Sequence, residues 1–582
     1  MKKTFLERPL HNSGKSLESC FFCRCLFSHL AYSLEYVFDI KTKIFDFFTS
    51  LKLRRGLSVY TTWVFLVLLL ATGCQPQKGK QLKVNIGGEP QTLDPRKAKD
   101  LQSQTVVQMC FDGLTRMDPK DQPQLAVAER LEISSDGKMY TFHLRDCKWS
   151  NGERVTADDF AYAWKKSLSP SFPSDRAFQL YPIKNAELIK KGQLPVDDLG
   201  VQVLDAKTLQ VELERPTHYF LELTALPIYF PIHQKTDELN SHWADEAATY
   251  ICNGPFLPKE WKHSDCFEVV KNGHYWDAPH VQLDGIQLVM VSEDTEFKMY
   301  EKKELDWAGS PLSVLPLDAI AQLRQRKEFH TKPFLATYFF NTNTNKAPFN
   351  HPLMRKAFGL SINRQEIIDH VLQGKQIAAT GLVPTAMGLQ DAPYFKDGDV
   401  ETAKRCFNQA LKEQGLSLQD LPCIVLLYIT SERNNLIAQA VQAQWTSTLG
   451  VDVKIEPMER KTFYDRLTKK DFQIAIGSWT ADFNDPLNFL EIFKNKKVGS
   501  NHTSWENPKY EELLNQALSL SDFDARKKVL KESESLLIDE MAIIPLFHYT
   551  MLYLASERVR DVAVSTTGSV DFKWAFIVKD KK

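Results

Sequence analysis

Leu66 to Cys74 reads Leu-Val-Leu-Leu-Leu-Ala-Thr-Gly-Cys, behind the basic pair Arg54-Arg55, and it divides the chain before any fold is considered. A positive flank, an apolar stretch of about fifteen residues and small side chains before a cysteine are how a bacterial lipoprotein signal ends. On that reading residues 51–73 are removed and Cys74 becomes the first mature residue. Its thiol carries a diacylglycerol, and acylation of the freed amine supplies the second signal that stable anchoring needs. The competing reading is a transmembrane helix, because residues 57–73 reach the lower limit of about 17 apolar residues. Residues 1–50 are read as a mis-set start or a discarded leader. Their Cys20, Cys23 and Cys25 have no second cluster at zinc-site spacing.

The fold must then come from the roughly 500 residues after Cys74, too many for one core and enough for two or three lobes. Lysine plus arginine, 72 residues, nearly cancel the 73 acidic residues, which removes the basic footprint of a nucleic-acid binder. Six cysteines follow Cys74, far below the density of a disulfide scaffold. Cys252 and Cys266 flank a predicted hairpin, as a disulfide or as two buried thiols.

Local patterns alternate between periods of two and of 3.6. Leu82, Val84 and Ile86 alternate with polar residues before Gly87-Gly88, predicting a half-buried strand. Asp136-Gly137 between two alternating runs predicts a hairpin, with Tyr140, Phe142 and Leu144 on one face. Thr156 opens a helix in which its hydroxyl takes an orphan amide and Phe160 and Trp164 recur at i and i+4. Asn363-Arg364-Gln365-Glu366 is a second capped start. The apolar run 472–477 predicts a buried strand, followed by the polar and aromatic loop Trp479 to Pro486. Loops just past buried α/β strands are where ligands usually sit.

Several segments stand in one order that resembles the extracellular solute-binding proteins of the oligopeptide and dipeptide ABC importers. They are Glu89-Pro90-Gln91-Thr92-Leu93-Asp94-Pro95, Ser135-Asp136-Gly137-Lys138, Phe142-His143-Leu144-Arg145, Lys148-Trp149-Ser150-Asn151-Gly152, Val155-Thr156-Ala157-Asp158-Asp159-Phe160, Asn253-Gly254-Pro255-Phe256, Tyr275-Trp276-Asp277 and Arg355-Lys356-Ala357-Phe358. The resemblance implies an α/β fold of the periplasmic binding protein type II-like class: two lobes joined by a hinge, with an extra domain inserted in the first. It divides the chain into lobe I (74–111, 233–333 and 551–582), an inserted domain (112–232) and lobe II (334–550). It implies a monomer, anchored by lipid on the periplasmic side of the cell membrane, that passes peptides to the permease and ATPase of an ABC importer. An extended peptide would lie between the lobes, held by main-chain hydrogen bonds that do not depend on its sequence.

By the same resemblance Asp482 pairs with the peptide's α-ammonium, although on loop chemistry alone it also reads as a turn residue. Trp479 forms an aromatic wall, and Ser478, Thr480 and Ala481 offer backbone partners. Lys99, Asp100 and Leu101 match the segment that lies against the ligand's other edge, with Lys99 where the family has an acid. Tyr549 and Asn253 match a tyrosine and an amide at the cleft. Tyr338, Phe339 and Phe340 line the second lobe or belong to its core. Ile476, Leu467 and Arg460 depart from the family, which has arginine at the first two positions and tryptophan at the third. The amino-terminal end of the ligand site is therefore retained and the carboxyl-terminal end is rearranged.

The chain has no Gly-x-Ser-x-Gly elbow, His-Glu-x-x-His pair or Walker-type loop, so it is read as a binding protein and not an enzyme, with no cofactor and no metal. His274 and His280 beside Trp276-Asp277 are turn residues rather than ligands, and His502 and His548 are isolated. Two alternatives stand beside peptide uptake: another ligand on the same scaffold (a murein peptide, glutathione or a metal chelate), and a surface lipoprotein that adheres or signals.

Overall fold

The computed structural model describes residues 80–578; the signal segment, Cys74 and the cluster Cys20, Cys23 and Cys25 lie outside the described residues. No helix among the described residues is long and apolar enough to cross a membrane. The architecture is mixed α/β, in two lobes.

In the first lobe the strand Gln81–Asn85 buries Leu82 and Val84 as its alternation predicts, and lies parallel to Gly285–Val289. The hairpin Phe256–Lys262 and Cys266–Lys271 completes that four-stranded sheet. A second four-stranded antiparallel sheet contains Ala128–Ile133 and Met139–Leu144, joined at the predicted turn, where Gly137 has φ +69°. Tyr140, Phe142 and Leu144 are buried on one face, and Phe160 and Trp164 of the helix Ala157–Leu168 are fully buried. Both sheets feed one continuous core. The helix opens with a capping box: the Thr156 side chain faces the Asp159 N–H as predicted, and the Asp159 carboxylate reaches back to accept from the Thr156 N–H at 2.8 Å.

Cys252 and Cys266 are free buried thiols. The hairpin register explains why: Cys266 stands opposite Lys262, whereas Cys252 precedes Phe256, which stands opposite Lys271. The two sulfurs therefore sit at opposite ends of the hairpin, and Cys252 lies by Cys110 instead.

A sheet that runs from the first core into the second lobe has strand order Trp307–Gly309, Ile543–Ala555, Phe329–Thr342, Ile474–Thr480, Ile424–Ile429, Val453–Met458, with Trp307 packing in the first core. Helices such as Glu432–Leu449, which buries Trp445, cover its faces. The capped start at Asn363 forms as predicted, its side chain accepting from the Glu366 N–H. The strand read at 472–477 starts at Ile474 and continues to Thr480, because Ala336 to Thr342 pair with it along its whole length. Trp479 and Thr480, expected in the loop, are thus its last two residues. Ile543–Ala555 serves both lobes: Ile544, Leu546 and Phe547 pack in the second core, and Met551 packs in the first. Its pairing with Phe329–Thr342 slips between Pro333 and Thr337. Such an irregularity bends and twists a strand locally.

Candidate functional site

Between the two cores lies a cavity of about 790 Å³, within the usual range for a ligand pocket. Of the residues singled out from sequence, Lys99, Leu101, Trp479, Thr480, Ala481, Asp482 and Tyr549 all line it. Ser478 instead lines a smaller pocket of about 210 Å³ behind Trp479. Asn253 is not at the cavity. It is 1% exposed, and its amide is used on the Asp112 backbone, accepting from the N–H at 3.0 Å and donating to the carbonyl at 2.9 Å. Its match to the family is a packing role, correcting the expectation of a ligand contact.

The strand Ile474–Thr480 supplies the wall nearest the second core. One edge is fully paired. The other pairs with Ile424–Ile429 only at Ile474 and Ala475, so the segment 476–480 has an edge without a strand partner among the described residues. Beyond it the loop is held from beneath. Asn488 Oδ1 accepts from the Trp479 indole at 2.9 Å, and Asp485 makes a buried two-pronged pair with Arg526 at 2.7 and 2.8 Å. This fastening fixes where Asp482 points.

Asp482 is a quarter exposed and already has partners from across the cleft: Arg176 Nη1 donates to it at 2.9 Å and Gln179 Nε2 at 3.4 Å. Burial pushes its carboxyl above the usual aspartate range, and the charge of Arg176 pulls the other way. The same guanidinium donates through Nη2 to the Lys99 carbonyl at 3.1 Å. Arg176 therefore joins Asp482 to the segment that the resemblance sets against the ligand's other edge. The Lys99 ammonium turns aside to Asp175 at 2.6 Å, and Asp100 caps the helix Leu101–Cys110 by accepting from the Ser103 N–H at 2.8 Å.

Further contacts bridge the cleft beside this pair. The Tyr219 ring stacks on Phe483 with centroids 4.0 Å apart, and Glu222 accepts from the Asn484 N–H at 2.9 Å. Burial raises Glu222 to about 7. None of Arg176, Gln179, Tyr219 or Glu222 stood out in the sequence. Asp175-Arg176 in a Ser-Pro loop reads as ordinary surface charge, and its partner is 306 residues away.

Tyr549 packs against Phe547 and Phe334 and its phenol is pushed up to about 12 by burial. Tyr338, Phe339 and Phe340 are core residues, the first two also lining the smaller pocket. Ile476 and Leu467, the departures from the family, are buried in that same pocket, and Arg460 is exposed at a helix start. His274 bonds the Ser150 carbonyl and His280 pairs with Asp277, and no group of three metal-ligating side chains occurs among the described residues.

Comparison with known proteins identifies the family and the fold. Residues 122–501 match the family model described as bacterial extracellular solute-binding proteins, family 5. The chain is 43% identical over 512 residues to the oligopeptide-binding protein OppA of Bacillus subtilis, covering 87% of this chain and 94% of that protein. Its structure is similar to the murein tripeptide binding protein MppA of Escherichia coli, with TM-score 0.72 at 30% identity over 86% of this chain and 99% of that one. It is also similar to Haemophilus influenzae OppA in complex with RPPGFSPFR, with TM-score 0.71 at 27% identity over 87% and 100% of the two chains.

Proposed function

The chain belongs to the bacterial extracellular solute-binding proteins of family 5, and on that footing we propose that it captures extended peptides in its interlobe cavity for uptake by an ABC importer. The supporting observation is the juxtaposition of an unpaired strand edge, 476–480, with the carboxylate of Asp482 in one cavity. A strand edge offers main-chain bonds to any extended backbone, and a partly buried carboxylate favours a primary ammonium through a charge-assisted bond. The ammonium meets Asp482 in competition with Arg176, so ligand entry exchanges one cation for another at the same oxygen. Trp479 and Tyr549 wall the cavity, and Lys99 and Leu101 face the ligand from the first lobe. The lobes rotate about the two long strands where their pairing slips, close to the divisions at 333/334 and 550/551, with 112–232 as the inserted domain.

In this reading Cys74 carries a lipid anchor on the outer side of the cell membrane, and the partners are a peptide, a permease and an ATPase. Cys74→Ser is expected to move the protein from the membrane fraction to the soluble one. Retention in the membrane contradicts the anchor.

Native mass spectrometry of the purified protein tests the binding role. A heterogeneous set of co-purified peptides is expected. A single defined mass indicates a dedicated ligand such as a murein peptide, glutathione or a metal chelate, and no bound mass in any preparation favours the adhesive or signalling role.

A further inference from the structure

We propose that Cys110 and Cys252 are an oxidation site, at which two thiols close a disulfide across the neck of the segment 112–232 and staple its two connections together. The site lies in the first core and is independent of what the cavity binds. Outside the cytoplasm, where the reading of Cys74 puts the chain, such a bond persists.

The two connections run side by side. One is the end of the helix Leu101–Cys110 with the residues after it, and the other is the stretch that leads into the strand Phe256–Lys262. The Gly254 N–H donates to the Cys110 carbonyl at 2.7 Å. The Asn253 amide accepts from the Asp112 N–H at 3.0 Å and donates to the Asp112 carbonyl at 2.9 Å. A Cβ at Gly254 would stand 2.5 Å from the Cys110 carbonyl carbon, so glycine is what lets the backbones come this close. At this contact the Cys110 thiol hydrogen-bonds the Cys252 thiol. Both residues are 0% exposed, and Phe111 and Tyr250 pack edge to face beside them.

The other described cysteines are placed differently. Cys147 lies by the charges of Asp112 and Arg145, Cys266 meets the carboxylate of its neighbour Asp265, Cys406 is half-buried and Cys423 is exposed. Among the described residues no other two thiols meet. A thiol is a weak donor and a weak acceptor, so the pair gains little as it stands. Joined, it would close a loop on the order of 140 residues, and a cross-link over so long a loop takes much freedom from the unfolded chain. The bond would also fasten the last residue of a helix whose Leu101, Gln104, Thr105 and Gln108 line the cavity.

The oxidant is a small-molecule disulfide or the disulfide of an oxidoreductase. One cysteine thiolate attacks a sulfur of that disulfide and releases one thiol, and the second cysteine displaces the other thiol from the mixed disulfide. One S–S bond forms in the protein and one breaks in the oxidant, which gains the two protons and two electrons that the cysteines give up. Burial raises the Cys110 thiol well above the ordinary range, which disfavours the attacking thiolate in the finished fold. The exchange therefore belongs to folding, before the neck closes over the sulfurs.

The test reduces the purified protein in denaturant and refolds it with a mixture of oxidised and reduced glutathione. Remaining thiols are then alkylated in denaturant and tryptic peptides are identified by mass spectrometry. One dominant linked pair is expected, joining the peptide of Cys110 to that of Cys252. The linked protein should melt about 5 °C or more above the same protein refolded and held in excess reductant. That comparison needs no substitution. Cys110→Ala and Cys252→Ala should each lose the link and the gain in melting temperature, and Cys147→Ala should keep both. Recovery of Cys110 and Cys252 as alkylated thiols, or joined to glutathione or to other cysteines, overturns the site. A link that leaves the melting temperature unchanged overturns its role as a staple. Each of these results leaves peptide capture to its own test by co-purified ligand.

Discussion

At Asp482 two effects compete. Burial penalises the carboxylate, and the guanidinium of Arg176 offsets part of that penalty. A peptide ammonium that replaces Arg176 must supply the same compensation, so the site favours a free amine over a blocked one. Asp482→Ala is expected to weaken binding of a free-amine peptide by roughly 1.5–3 kcal/mol, the range for a hydrogen bond to a charged group. The N-acetylated form should be affected much less. The pH dependence follows from the direction of the shift. A raised pKa means that Asp482 takes up its proton above the usual aspartate range, so peptide affinity falls on acidification, starting above that range. Arg176→Met removes the cation that holds the pKa down and should move this acid limb to higher pH. An unchanged limb in that variant contradicts the coupling. The resemblance, rather than loop chemistry alone, singles out Asp482 in the sequence, and Asp482 lines the cavity. Arg176 was not legible, because its meaning comes only from the fold that carries it across the cleft.

Among the elements, the helix Phe523–Asp539 carries a group whose titration reports on packing. Glu534 is fully buried, accepts from the Val383 N–H at 2.7 Å and from the Tyr394 hydroxyl at 2.8 Å, and is raised by burial to about 7. In the folded state it holds its proton up to that pH, while in the unfolded chain it loses it in the ordinary glutamate range. The folded state therefore binds more protons in this window, and stability falls as pH rises through it. Relative to Glu534→Gln, wild type should lose roughly 1 kcal/mol of stability per pH unit between about pH 5 and 7. Urea unfolding of both proteins at several pH values measures the difference. Parallel curves contradict the assignment. The elements read correctly from sequence are those whose causes are local: the Asp136-Gly137 turn, the Asn363 cap, the alternation at Leu82 to Ile86. The reach of Ile474–Thr480 was missed because it is set by pairing to Phe329–Thr342, more than a hundred residues away. The sequence leaves Cys252 and Cys266 open between a bridge and two buried thiols for the same reason, since only the hairpin register separates them.

For the whole molecule, two lobes around a cavity were expected from resemblance rather than from periodicity, which specified only mixed α/β structure. The proposed division of the ligand site into a retained amino end and an altered carboxyl end rests on particular side chains. Asp482 stands at one end of an unpaired strand edge, and Ile476 and Leu467 line an apolar pocket behind it. Three of the bridges across the cleft, Arg176 to Asp482, Tyr219 on Phe483 and Glu222 to Asn484, fall on consecutive residues of one loop. Exchange of the first bridge for a ligand ammonium thus acts where the two halves meet. A crystal structure of the protein with tetra-alanine tests this most directly. The account predicts the peptide ammonium within hydrogen-bonding distance of the Asp482 carboxylate in place of Arg176, with the peptide backbone bonded along the edge 476–480. A peptide held elsewhere in the cleft, with Asp482 still paired to Arg176, contradicts it.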